Sequence, residues 1–271
     1  MVVASPAQDA QPRGFVMSFL LTVATLWRRE IVRFLRQRNR IVGALGTPFV
    51  FWLLIGSGLG SSFRSSRMPG GTNYLEYSFP GTLALILLFT SIFSTISIIE
   101  DRQAGFLQSV IVAPVRRSAI TLGKTLGAST LALLQALLFL MLAPTVGIAL
   151  NPEKLAVLSG LLLLVAFGLS SLGYLIAWRM DSTQGFHAIM NLLLMPMWLL
   201  SGSFFPPSGA PSWVQWIIRA NPLTYGVAAI RRALYLGELD GKADLPSFAV
   251  CIAVTCLFGA LAFAATTRTA R

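Results

Sequence analysis

The sequence predicts an all-α membrane protein: an N-terminal amphipathic helix lying in the interface, six transmembrane helices, and short re-entrant helices between spans five and six. Three observations predict it. Of 271 residues, 55% are hydrophobic and only 11% charged, against about a quarter charged in soluble globular domains. Several apolar runs reach about 20 residues, the length a helix needs to cross roughly 30 Å of hydrocarbon. None of these runs shows the alternating segments of about 10 residues that mark a membrane β-barrel.

The elements follow in chain order. Residues 1–14 are polar and read as a disordered cytoplasmic tail, with no small-residue cleavage site after them that would mark a signal peptide. Residues 15–40 read as the interfacial helix. At 100° per residue Leu20, Val23, Trp27, Ile31 and Phe34 form an apolar stripe, and Arg29, Arg33, Arg36 and Arg40 face the other way. Trp27 suits the water boundary and the arginines suit anionic headgroups. An arginine-rich linker is the alternative. Residues 41–271 then form the transmembrane domain, with spans Ile41 to Gly60, Phe79 to Ile99, Ser118 to Leu142, Leu155 to Ala177, Thr183 to Ser203 and Leu245 to Ala265.

Six spans put both termini on one side. With that side cytoplasmic, the inner segments carry 14 of the 21 Lys and Arg residues, as the positive-inside bias expects. The net charge of +11 has this origin rather than nucleic-acid binding, which is not expected. Cys251 and Cys256 lie five residues apart in one apolar run, on different faces of any helix containing them, and form no disulfide.

Two segments between spans are too unusual to be plain connectors. In the first, Glu100, Asp101, Arg102, Gly105, Phe106, Leu107, Val110 and Pro114 mix charges with apolar residues inside one helix-sized unit. Phe106, Val110 and Ala113 share a helical face that could enter a groove of a soluble partner, and Pro114 stops the helix. A solvated connector is the alternative. In the second, Gly202, Phe204, Phe205, Pro206, Pro211 and Trp213 break the fifth span at its outer end, and Trp216, Ile217 and Ile218 are too apolar for a free loop. Asn221 before Pro222 reads as a helix N-cap with proline at the first helical position. Unsatisfied backbone at membrane depth is costly, so this stretch must be enclosed by protein or a wet cavity.

These two segments carry a resemblance to a known family, the ABC-2 type permeases, that extends over nearly the whole chain. The run Ser201-Gly202, Phe204-Phe205-Pro206, Pro211, Trp213, Asn221-Pro222-Leu223-Thr224-Tyr225 and Arg231 resembles the family's motif before the last span. Glu100, Arg102, Gly105, Leu107, Pro114, Gly123 and Lys124 resemble its loop between spans two and three, with Phe106 and Gln108 standing where a threonine and an acid are usual. The closest subtype is the drug-resistance and nodulation-factor exporters. The resemblance implies that residues 100–114 hold a coupling helix that contacts a separate ATP-binding subunit, present in two copies. It further implies a second permease copy or a paralogue, a bacterial inner membrane, and hydrophobic or amphipathic cargo such as drugs or lipid-linked molecules. A polysaccharide or glycolipid exporter is the alternative.

No GxxxxGK[ST] loop occurs in the chain, so ATP and its magnesium are expected on the partner, no cofactor on this chain, and no catalytic role. A gradient-driven transporter would need intramembrane carboxylates, and the six expected spans contain none in their interiors. Thr90, Ser91, Ser94 and Thr95 are read as packing rather than cargo contacts, Gln135 and Asn191 as interhelical hydrogen-bond partners, and His187 as a packed imidazole.

Overall fold

The computed structural model describes residues 12–59, 73–106, 116–235 and 246–269. Leu107, Val110 and Pro114 of the expected coupling helix lie outside the described residues, as do residues 1–11 of the expected tail. The described chain is helical throughout: α1 (Pro12–Arg36), α2 (Arg38–Leu59), α3 (Tyr74–Gln103), α4 (Arg117–Leu140), α5 (Pro152–Ala177), α6 (Thr183–Trp198), α7 (Ser212–Ala220), α8 (Pro222–Leu234) and α9 (Phe248–Thr269). A 3-10 turn, Ala143–Val146, follows α4, and a wider turn of π type, Leu199–Ser203, continues α6.

Helices α2 to α6 and α9 are long and apolar enough to span a bilayer, which matches the six expected spans. Their ends differ by a few residues. The largest difference is in α3, which begins at Tyr74 and runs through Gln103, so it takes in flanking polar residues that an apolar run cannot reveal. At 1.5 Å per residue its 30 residues extend about 45 Å. The interfacial helix expected over 15–40 occupies Pro12–Arg36 and breaks at Gln37. Residues 38–40 open α2 instead.

Helix α3 is the axis of the molecule. Its most apolar window is 89% buried, against 22% for α2 and for α9, and it touches α2, α4, α5, α6 and α8. Around it α1 packs on α4, and α9 packs on α5 and α8. Trp52 of α2, Phe79 of α3 and Phe139 of α4 meet ring to ring, Phe79 stacked on Phe139 at 4.9 Å and Trp52 edge-on to Phe139 at 5.3 Å. Offset and edge-on pairs of this kind add to the burial of the rings themselves. The strong burial of α3 explains why it carries no charged residue between Glu76 in its first turn and Glu100 in its last, whereas α2 and α9 present Leu54, Leu257 and Leu261 outward, as lipid-facing helices do.

The packing of α1 departs from the expected stripe. Leu26, Glu30 and Phe34 are buried, and Leu20 is exposed. The cause lies in α4, where Gly123 and Gly127 leave no side chain between the helices. A methyl group at Gly123 would stand 2.9 Å from the Val23 carbonyl, and one at Gly127 would stand 2.8 Å from Cβ of Glu30. Small residues four apart let helix backbones approach closely in a membrane, so the face of α1 that fits this groove is buried whatever its polarity. Trp27 seals the edge, donating from Nε1 to Oγ1 of Thr130 at 3.1 Å.

Candidate functional site

The polar residues singled out above gather at the two ends of α3. At the Glu100 end the burial of Glu30 and Lys124 creates an electrostatic demand, because an isolated charge out of water is severely disfavoured. The sequence meets it with a cluster. Lys124 donates to Glu30 at 2.9 Å and to Asp101 at 2.5 Å. Asp101 also accepts from both terminal nitrogens of Arg29, at 2.9 and 2.7 Å, and from Arg33 at 2.6 Å. Arg33 reaches on to Glu100 at 2.6 Å, and Arg40 pairs with the same carboxylate. Asp101 is 2% exposed, Lys124 3% and Glu30 5%. The paired, fork-like contacts of the arginines are the geometry in which such burial is tolerated. Donation to Asp101 raises the Arg29 guanidinium above its ordinary pKa.

This cluster corrects the reading of α1 as a helix whose arginines all face headgroups. Arg29, Arg33 and Arg40 turn inward to α3, while Arg36 stays exposed. It also corrects the expectation that Glu100 opens a separate helix. Glu100 to Gln103 form the last turn of α3, and the chain leaves it at Gly105, whose φ of +72° only glycine adopts without strain. Arg102 donates to the carbonyls of Trp178 and Met180 and to Asp181, and Gln103 donates to the Asp181 carbonyl. Both therefore satisfy orphan groups at the end of α5 and in the turn to α6. Phe106 lies under the Arg29 guanidinium, 3.8 Å from ring centre to carbon, a cation–π contact. The root of the expected coupling segment is thus tied to α1, α4 and the α5–α6 turn together.

At the Tyr74 end the chain of α6 unwinds, and Gly202 takes φ +75°. Its carbonyl accepts from Tyr77 at 3.1 Å and from Arg231 at 3.0 Å, and the Phe204 carbonyl accepts from Tyr74 at 2.9 Å. Trp198 donates to the Gly81 carbonyl at 2.8 Å. Gly81 is required here, since a methyl group would stand 2.8 Å from the backbone of Ser203. Asn221 serves two helices. Its side-chain oxygen caps α8 by accepting from the Leu223 N–H at 3.0 Å, as expected before Pro222, and its amide donates to the Met197 and Leu200 carbonyls at 2.6 and 3.2 Å. Tyr225 donates to the Arg219 carbonyl at the end of α7. Arg231 is 4% exposed, stacked on Tyr77 at 4.4 Å and bonded to carbonyls, with Nε donating to nothing among the described residues.

The structure therefore brings Gly202, Phe204, Asn221, Tyr225 and Arg231 into one backbone-bonded corner, with the short helices α7 and α8 where re-entrant helices were expected. Phe205, Pro206 and Pro211 shape the turn between α6 and α7, and Trp213 points outward from α7 at 66% exposed. In the middle of α3, Thr90 donates to Gln135 of α4 at 2.6 Å and Ser91 accepts from Ser170 of α5 at 3.1 Å, in line with packing. His187 meets Phe93 edge-on at 5.8 Å. Asn191 is the exception, lying exposed on α6 rather than between helices. Sequence reasoning passed over Glu30. A lone acid on an arginine-rich helix, facing a lone lysine inside an apolar span, was the available signal.

The sequence profile of the ABC-2 type transporter family matches residues 22–235, which include both ends of α3 and all the residues of the two clusters. The chain belongs to the ABC-2 type transporter family. Among its relatives is a protein of Cyanophora paradoxa named as a transport permease (ycf38), 28% identical over 79% of this chain and 74% of that one. Nodulation protein J of Sinorhizobium fredii is 27% identical over 84% of this chain and 86% of its own length. The daunorubicin resistance ABC transporter permease protein DrrB1 of Streptomyces coeruleorubidus is 23% identical over 79% and 75%. As an ABC-2 permease the chain is a multi-pass membrane protein of transport, in a family whose members work with an ABC ATP-binding partner.

Proposed function

We propose that this ABC-2 permease is the membrane-spanning subunit of an ATP-driven exporter, with two copies of a separate ATP-binding subunit docking at the segment from Glu100 to Pro114. The observation that supports this best is the Asp101 cluster. It makes the base of that segment one mechanical unit with α1, α3 and α4, so a push on the segment is delivered to three helices at once. Both termini then lie in the cytoplasm of a bacterial inner membrane, and two permease copies, or one and a paralogue, enclose the path. The cargo is hydrophobic or amphipathic, a drug or a lipid-linked molecule, with polysaccharide or glycolipid as the alternative. A gradient-driven transporter would need a carboxylate free to exchange its counter-ion, whereas Asp101 is already held by Arg29, Arg33 and Lys124.

The test is to purify the chain and ask which ATPase accompanies it, then to replace Phe106 and Leu107 by alanine together. The expected result is loss of ATPase stimulation by cargo, with the permease still folded. Unchanged transport and stimulation in that double variant would refute the docking assignment. Transport by the chain alone, without an ATPase, would refute the exporter reading itself.

A further inference from the structure

A half-open cleft with room for a water-sized polar group lies between α2, the start of α3 and the turn after α6. Phe51 and Trp52 wall it on one side, Trp198 and Phe204 on another. Ser78, Thr82 and Ser203 also line it, and no charged residue is among the lining side chains described. Phe51 is 47% exposed, so the cleft opens sideways to where lipid or a second subunit would stand.

The hydroxyl groups have a shared property. Ser78 donates its proton to the Tyr74 carbonyl at 2.8 Å, and Thr82 donates to the Ser78 carbonyl at 3.0 Å. Ser201 donates to the Trp198 carbonyl at 2.6 Å, so in its 2.6 Å contact with Ser203 the proton comes from Ser203. A hydroxyl has one hydrogen and two lone pairs. With the hydrogens spent on the protein, these three groups offer a ligand lone pairs only. The aromatic faces around them are also electron-rich.

We propose that this cleft binds the polar head of a lipophilic ligand through a hydrogen-bond donor, a hydroxyl or a protonated amine, and rejects esters and carboxylates. The acceptor-only oxygens have nothing to give an ester carbonyl, and a carboxylate would meet lone pairs and ring faces with no cation in the lining. An ammonium or alcohol finds acceptors on α3 and an aromatic wall on both sides. The inference deepens the exporter reading by naming the chemistry of one cargo contact, and it rests on that reading for its role in transport.

The test uses the full chain in nanodiscs without any ATP-binding subunit, so a failure of ATPase docking cannot mimic or mask it. Trp213 and Trp216, exposed on α7, are replaced by phenylalanine to lower the background. Four bromine quenchers of one shape are titrated: 4-bromobenzylamine, 4-bromobenzyl alcohol, methyl 4-bromobenzoate and 4-bromobenzoate. The amine and alcohol are expected to quench saturably, with the ester and the acid at least about five-fold weaker, the loss of roughly one hydrogen bond. Thr82→Val, which keeps the shape, should weaken amine and alcohol and leave the ester unchanged; Ser78→Ala replaces it if that variant melts early. A tighter amine than alcohol assigns the aromatic wall a cation–π share, and equal binding assigns recognition to the donor alone. Quenching by all four in proportion to their membrane partition, or an amine titration unchanged in both variants, would overturn the proposal.

Discussion

The two ends of α3 are fastened by different chemistry. At the Glu100 end three carboxylates, Glu30, Glu100 and Asp101, share four cations, Arg29, Arg33, Arg40 and Lys124. At the Tyr74 end phenol, amide and guanidinium groups bond to backbone carbonyls of the unwound α6, the Trp198 indole of α6 bonds back to the Gly81 carbonyl of α3, and Arg231 has a ring and carbonyls for partners instead of an acid. A carbonyl clasp can be parted one bond at a time for about 1 kcal/mol net each if water replaces it. A buried charge cluster cannot, because every partial opening strands a charge. The Glu100 end therefore holds together as a block, and the Tyr74 end is the cheaper one to open. That asymmetry is the one the proposed docking at the Glu100 end requires.

The largest expected effect breaks the charged end. Asp101→Ala leaves Arg29, Arg33, Arg40 and Lys124 to share only Glu30 and Glu100 and should cost about 3–5 kcal/mol, read as lost monodisperse protein in size-exclusion chromatography and a lower melting temperature. Pairing Asp101→Asn with Lys124→Met removes one charge of each sign and should recover a good part of that loss. If the single alanine variant melts like the parent, the cluster is not the fixed end and the comparison fails.

At the Tyr74 end the expected losses are smaller. Gly81→Ala sets a methyl group 2.6 Å from Cβ of Ser203 and should cost about 1–3 kcal/mol, as overpacking does. A new cysteine placed in the turn after α6 should then react faster with a water-soluble maleimide. Asn221→Ala comes next, at about 1–2 kcal/mol for a lost cap. Asn221→Asp separates its two duties, keeping the acceptor for Leu223 and losing the donors to Met197 and Leu200. A full loss in both variants would place the weight on the α6 carbonyls rather than on the cap of α8.

These ends were unequally legible in the sequence. The Asn221-Pro222 cap was readable because capping is local, three residues deciding it. The spans were readable because a bilayer imposes a length on each apolar run. The Asp101 cluster was not, since it joins residues 71 apart such as Glu30 and Asp101, and no local pattern records which helix face a glycine pair on α4 will draw in. An amphipathic wheel shows direction and not partners, so it sets Arg29 and Arg33 towards headgroups. The partners of Arg231 are not local either, since its bond to the Gly202 carbonyl depends on a kink that composition announces without placing.

The smallest expected effect lies midway between the ends. Thr90 of α3 donates to Oε1 of Gln135 at 2.6 Å, and Nε2 of Gln135 is buried with no partner among the described residues. Thr90→Val conserves shape, so no cavity opens, and only the hydrogen bond is lost. Interhelical hydrogen bonds in membranes average about 0.6 kcal/mol and reach about 1.7, which predicts a melting shift far below that of Asp101→Ala. Gln135→Leu removes the amide but leaves the buried Thr90 hydroxyl without its acceptor, so the gentler variant should be the pair Thr90→Val with Gln135→Leu, which removes both partners. Equal losses for Thr90→Val and Asp101→Ala would move the anchoring of α3 from its ends to its centre, and the contrast between a fixed and an openable end would lose its basis.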